Sequence, residues 1–413
     1  MTDKKTYGVN VKDFGAIGDG EHDDGAAFQA AIDAESSLVV IPSGKYKIGR
    51  PLFLGSDIKI SAHDDAHIRL ADNVCVKRGD FLLSNKNPGT GDRNIELEGG
   101  ICDGNNQGNP RLGELFDPDC VSGTLINFRN VKNLVMSGMV LRDPEAYYIR
   151  ICEIDGFVIE KIRFEAEHMS KNQDGIHMAG FCKNGVIRYL KAVGEATNDD
   201  FLAFNADDCI TRRENLDTIC GPIENIKVYD VEAENCFTFI RMLSVDSAIS
   251  SIDISNIRGG CKHFFLNMDG ARYCRTPLIP VDSERFTAGA GDINNISISD
   301  ADIEFLGDVK ARICNETNLA NVKIKNFCSK DERKIPCVTA VNCKKSSFVF
   351  QGINKVTAEK IISESSCKNI EMCETADRNE REVYRVEAEK NIGEKLIMPS
   401  GNFEELKVNS ITV

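Results

Sequence analysis

Asn130-Val131-Lys132-Asn133-Leu134-Val135-Met136, Ile154-Asp155-Gly156-Phe157-Val158-Ile159, Cys182-Lys183-Asn184-Gly185-Val186-Ile187 and Ile223-Glu224-Asn225-Ile226-Lys227-Val228 are four versions of one pattern. An alternating apolar segment reaches an Asn or Gly, turns, and resumes its alternation. Period-two alternation puts one face of a strand into a core. Asn and Gly tolerate the left-handed backbone that a change of direction needs. Asp292–Ile298, Leu319–Ile324 and Cys367–Met372 read as later copies. Copies that follow directly lie about 22 to 29 residues apart, a spacing typical of solenoids. The pattern predicts a right-handed parallel β-helix, single-stranded and all-β, in which equivalent Asn side chains stack and hydrogen-bond from coil to coil. Asn-Gly hairpin turns between long strands are scarce, which sets an antiparallel sandwich or a propeller behind it.

Outward from the repeat, the ends differ. Asp23–Ala34 reads as a short helix with an acidic N-terminal cap and an apolar stripe of Ala27, Phe28, Ala31, Ile32 and Ala34, suited to cover the open end of a solenoid core. Leu38–Pro42 reads as the first strand. One domain over residues 1–413 is expected, with 1–50 as cap and first coil and 390–413 as the end of the stack, residues 397–413 forming a last irregular coil. A solenoid of 413 residues needs no division into compact units, because each coil contacts only its neighbours.

The formal charge is −14. It argues against nucleic acid as partner, since phosphate contacts need a basic footprint. No run of apolar residues is long enough for a membrane helix, so no membrane partner is expected. Met1–Thr6 lack the apolar stretch of a secretory signal, and a cytoplasmic location is the simplest expectation. The 16 cysteines show no metal-ligand spacing and are expected reduced and buried. Cys152, Cys182, Cys343 and Cys367 each precede a turn, suggesting a stack at one level. No phosphate-binding loop or dinucleotide fingerprint is present, so neither an organic cofactor nor a metal is expected. Nothing bars homo-oligomerisation.

Val9–Gly20, Asp23-Asp24, Ala30-Ala31-Ile32 and Ile41–Tyr46 resemble the N-terminal signature of pectate-lyase-like β-helix proteins. A narrower resemblance lies further on. Asn172-Gln173-Asp174-Gly175-Ile176-His177, then Asn198-Asp199-Asp200, then Arg241-Met242-Leu243 are similar to blocks of the polygalacturonases, glycoside hydrolase family 28. The resemblance spans about residues 9–260. It implies that Asp199 is the general acid, that Asp174 and Asp200 hold the attacking water, and that the reaction inverts configuration. It departs twice: no Gly-His-Gly block follows Asp200, and Leu243 stands where the family carries a substrate-binding Lys.

Asp174 and Asp199-Asp200 lie about one coil apart, so the carboxylates can meet on one face if the backbone bends between the two adjacent aspartates. Crowded carboxyls raise one another's pKa, which lets one keep a proton for the leaving oxygen while another activates water. Inversion calls for roughly 6.5–9.5 Å between the two carboxyl roles. Arg241 is expected to bind a sugar hydroxyl or carboxylate, with Asn172, His177, Asp208 and Tyr148 as further substrate contacts. Glu145 and Tyr147 share the last role with Tyr148; His168, Arg212, Arg213 and the turn Gly99–Asn106 are weaker candidates. Asp207-Asp208 also fits a plain turn-capping pair. The expected function is a glycoside hydrolase acting on an α-linked oligosaccharide, with uronic acid and rhamnose among the candidate sugars. A lyase or uronate epimerase on the same scaffold, or a non-catalytic glycan-binding solenoid, is the alternative.

Overall fold

At one level of the coils, residue after residue leaves the ordinary backbone region. Asp57, Asn94, Asn133, Gly156, Asn184, Asn225, Ser251, Asn295 and Asn321 have φ between 51° and 79°. The strand registers place them directly above one another. Here a strand must turn a corner without losing its pairing, and Asn accepts the left-handed conformation more readily than other side-chain-bearing residues. Its amide also closes the gap to the next coil. Asn94 Nδ2 donates to Asp57 Oδ1 at 2.7 Å, Asn133 to Asn94 at 2.9 Å, Asn225 to Asn184 at 2.7 Å and Asn321 to Asn295 at 2.8 Å. A second left-handed column runs through Tyr189, Asp230, Asn256, Asp300 and Asn326.

The computed structural model describes residues 8–412 except 76–80, 112–122, 209–217, 272–278, 281, 285–288, 310, 332, 334, 336–337, 342–344, 364–367, 377–381, 390–394 and 399–401. Its strands pair in parallel from Val9 to Val341 and wind as a right-handed β-helix. Inside, equal levels stack like on like. Phe164, Phe201, Phe239, Phe265 and Phe327 form an aromatic file with successive ring centroids 5.5, 5.6, 6.3 and 5.4 Å apart. Such stacking adds specific geometry to the burial of large apolar surfaces. Gly185 shows the tightness of the packing: a Cβ there would collide with the Phe157 ring.

The N-terminal helix spans Gly25–Ile32 and buries Phe28, Ala31 and Ile32 against the first coils, with Phe28 edge-on to Tyr46 at 5.0 Å. The stripe is narrower than expected, since Ala27 and Ala34 stay half-buried. Asp24 occupies the cap position but does not cap with its side chain; it accepts hydrogen bonds from the backbone of Ile17 and Gly18 instead.

The expectations for the other end and for the cysteines are corrected. The segment after Lys345 does not add further coils. Phe403–Thr412 runs antiparallel to both Leu319–Cys328 and Lys345–Gln351, and Lys368–Ala376 runs antiparallel to Glu382–Glu389. The expected copy at Cys367–Met372 therefore falls in an antiparallel pair, with Cys367 outside the described residues. An antiparallel strand laid on the last coil occupies its free edge, which would otherwise be a template for another chain. Cys152 and Cys182 are buried but not level: the pairing of Asp155 with Lys183 sets Cys182 beside Ile154. Cys343 also lies outside the described residues. Cys220 is disulfide-bonded, against the expectation of reduced thiols throughout.

Asn225→Gly should leave the urea unfolding midpoint nearly unchanged, whereas Asn225→Val, forced into the same left-handed φ, should cost about 1–3 kcal/mol. Equal effects of the two substitutions would remove the column from the account of the fold.

Candidate functional site

Five coils supply the site, and their register decides what meets. Ile149, Ile176, Leu202, Ile240 and Leu266 pair in one inward row. The next residue of each strand, on the opposite face, forms the row Arg150, His177, Ala203, Arg241 and Asn267. The ladder continues one step past the strand ends. Tyr148 N donates to Asp174 O at 2.9 Å and Gly175 N to Asp200 O at 3.0 Å, so Asp174 and Asp200 lie at the same height on neighbouring coils. Gly175 permits this approach, because a Cβ there would stand 2.6 Å from the Phe201 carbonyl oxygen. Asp199 sits in a bend immediately before the Asp200–Asn205 strand. That is the bend the adjacent pair requires, and it turns both carboxylates to one side.

Asp174, Asp199 and Asp200 each offer a carboxylate oxygen within 4.8 Å of the other two. This is tighter than the separation expected of an inverting pair, since the three acids are spaced by the coil stacking itself. Burial raises the Asp174 carboxyl to about 6 despite the hydrogen bond from His177. Burial, then the charge of Asp199, raises Asp200 to about 7. Asp199 accepts a hydrogen bond from Asn172 Nδ2 at 3.1 Å.

His177 is 2% exposed and is held at both ring nitrogens, Nδ1 to Asp174 Oδ2 at 2.7 Å and Nε2 to Asp208 Oδ2 at 3.2 Å. Burial alone would push its pKa down; the bonds to Asp174 and Asp208 outweigh that and lift it to about 9. A doubly engaged, cationic imidazole ties two acidic loops together. Arg241 lies between Asp269, 2.6 Å from Nη2, and Asp200, 3.5 Å from Nη1.

Asp174, Asp199, Asp200, Asn172, His177, Asp208 and Arg241 thus line one cleft of about 220 Å³. Tyr148 does not. It is 0% exposed in the core, its hydroxyl donating to Glu165 O at 2.7 Å. Strand alternation sends its neighbour Tyr147 outward, where it stacks on His177 with centroids 4.2 Å apart. The Asp207-Asp208 pair splits: Asp207 accepts from the backbone of Val245, Asp246 and Ser247, a turn-capping role, while Asp208 enters the cleft. Leu243 is fully buried in a small separate cluster with Val245 and Ala271. Glu145, 3.6 Å from Arg111, and His168 stay outside the cleft wall, as does Asp103, which pairs with His67. Arg212 and Arg213 lie outside the described residues.

Phe237, Thr238, His263, Asn267 and Asp269 also line the cleft and were not singled out in the sequence. The signal for Asn267 and Asp269 was a one-coil count from Arg241 and Leu243, their register partners. His263 follows an irregular register near Cys236 that no pattern count would find. The three catalytic candidates could also hold a small hard cation, as could Asp143, Glu167 and His168 in a second group.

A family model described as rhamnogalacturonase A/epimerase, pectate lyase-like, matches residues 8–262. A polygalacturonase of Persea americana is 26% identical over 257 residues, 58% of this chain and 52% of that protein. A pre-neck appendage protein of Bacillus phage B103 is 41% identical over 105 residues, 25% of this chain and 12% of that protein. The chain therefore spans about half or less of these relatives' lengths. A solved exopolygalacturonase from Thermotoga maritima superposes with a TM-score of 0.51 at 14% identity, over 78% of this chain and 91% of that one, a likeness of fold. With more than half of its length matched by that model, the chain belongs to the rhamnogalacturonase A/epimerase, pectate lyase-like family.

Proposed function

We propose that the cleft hydrolyses a glycosidic bond of an α-linked oligosaccharide, with Asp199 as general acid and Asp174 and Asp200 holding the attacking water. The observation that carries this reading is the convergence of three aspartates on one point with two pKa values raised into the working range. Glycoside hydrolysis needs one protonated and one ionised carboxyl beside the same bond. The charge of Asp199 is part of what raises Asp200. When Asp199 holds the proton, Asp200 is released to ionise and, with Asp174, can polarise a water. Asn172 orients Asp199 from the side. His177 fixes Asp174 in place, and Arg241 does the same for Asp200. The polygalacturonase relatives support the reaction class.

The three-carboxylate cluster also favours a second reading, a lyase or epimerase that binds a divalent cation there. A lyase leaves an unsaturated, ultraviolet-absorbing sugar; hydrolysis leaves none. Hydrolysis should persist in excess EDTA and give no rise in ultraviolet absorbance; loss of activity in EDTA together with such a rise would favour the lyase.

Asp199→Asn should lower kcat by about 10²–10⁴-fold with the unfolding midpoint unchanged. Activity within tenfold of the parent would remove Asp199 from the acid role.

The water-holding carboxylates must be ionised, so kcat/KM should fall with decreasing pH along a limb between about 6 and 7. Stability runs the opposite way. Asp174 and Asp200 sit above their unfolded value of 3.8, so they ionise at a cost in the folded chain and stability declines as pH rises through 6 and 7. His177, raised from 6.5 to about 9, contributes fully below 6.5, and its contribution is lost as pH rises through 9. Rate and urea-midpoint profiles over the same pH range check both signs; an acid limb centred below pH 5 would contradict the role given to Asp174 and Asp200.

The anomeric configuration of the first product, read by proton NMR within minutes of mixing, should be inverted. A retained anomer would instead make one of the crowded aspartates a nucleophile, as the short carboxylate spacing also permits.

A further inference from the structure

The walls of the cleft are mismatched in charge. Five aspartates line it against one arginine and two histidines, and among the described residues no lysine does. The cations are already engaged. The Arg241 guanidinium spans Asp269 and Asp200, and both nitrogens of His177 are taken by Asp174 and Asp208. Leu243, the last residue of its strand, is turned into apolar packing and offers nothing to a ligand. Among the described residues, a carboxylate brought into this space would meet an excess of acidic groups, with Arg241 and His177 already paired to them.

The rim offers a different kind of contact. Phe237 is 38% exposed, and its ring stacks on His263 at 4.8 Å with 25° between the planes. The stacked pair stands among the residues that line the acidic cleft, and the face of the Phe237 ring turned away from His263 is a flat apolar surface there. A pyranose presents a face of C–H bonds that packs on such a surface, and its hydroxyls suit the acceptors beyond it.

We infer that the cleft binds a neutral sugar ring, stacked on the outer face of Phe237, which His263 backs, and hydrogen-bonded through hydroxyls to the aspartates, rather than a uronic acid. This rests on the hydrolase reading only for the location of the cleft; recognition is a matter of binding and can be measured without turnover. The negative wall excludes a sugar acid by repulsion, while the aromatic pair supplies attraction that does not depend on charge.

The test is calorimetric titration of the parent chain and of Asp199→Asn with α-linked di- to tetrasaccharides in matched series. The series are oligogalacturonides and oligoglucuronides, the same chains with each carboxyl reduced to a primary alcohol, and rhamnose oligosaccharides. At least one neutral series should bind at least tenfold more tightly than its acidic counterpart, with that gap widening as salt is lowered. Phe237→Ala should weaken the neutral ligand by fivefold or more without moving the unfolding midpoint, and Phe237→Tyr should restore it. Equal or tighter binding of an acidic series, no binding of any neutral series at millimolar concentration, or indifference to Phe237→Ala would overturn the inference. Tight neutral binding without cleavage of any ligand would defeat the hydrolase reading and leave this one standing.

Discussion

The parallel backbone ladder converts sequence distance into spatial contact, and everything at the site depends on it. Asp174 and Asp200 are 26 residues apart in the chain, yet the bond from Gly175 N to Asp200 O holds them one strand spacing apart. Adjacent parallel strands lie about 4.8 Å apart, and side chains at one level have no choice but to stack. An isolated charge stacked on its like would be costly. Within the column at the site the small, neutral Ala203 stands between the two cations His177 and Arg241. Ala203 leaves room for the two cations to lean toward acids on either side rather than toward each other. A larger residue at that level would fill the floor of the cleft.

The same ladder explains why the acids are destabilising where they stand. Asp174, Asp200 and Asp208 are nearly inaccessible to water, and burial is the leading cause of the raised pKa of the first two. A solenoid core built from stacked Phe and Ile is stable enough along its length to carry such a cost locally, because each coil is stabilised by both neighbours. His177 and Arg241 offset part of it by pairing. What remains is strain of the kind expected where chemistry is done rather than where structure is kept.

Most of the fold was legible because its rule is local. Asn133, Asn184, Asn225, Asn295 and Asn321 announce the turn, and the apolar alternation on each side announces the strands. The aspartate triad was legible for a related reason: one coil's spacing between Asp174 and Asp200 is enough to infer that they meet. Reading failed where the rule is not local. The choice between Tyr147 and Tyr148 rests on strand phase, which one residue reverses. Phe237 and His263 reach the cleft through an irregular register after Ala233, so counting coils misplaces them. The antiparallel finish is invisible for a third reason. An alternating strand has the same pattern whichever way it pairs, and the direction of Phe403–Thr412 is set by the exposed edge it covers.

Leu243 ties these levels together. Read as a letter in a motif, it is a missing lysine. In the structure it is a member of a small apolar cluster with Val245, Ala271, Ile279 and Ala290, which packs the chain leaving the Arg241 strand against the segment that follows Asp269. Reversing the substitution would therefore not restore a cation to the cleft; it would bury an ammonium in hydrocarbon. The difference from the polygalacturonase pattern is thus built into the packing around the site. A side chain at this position could reach the cleft only if the chain after residue 243 took a different course, so the apolar packing around Leu243 and the absence of a cation among the described residues of this part of the wall are one structural fact.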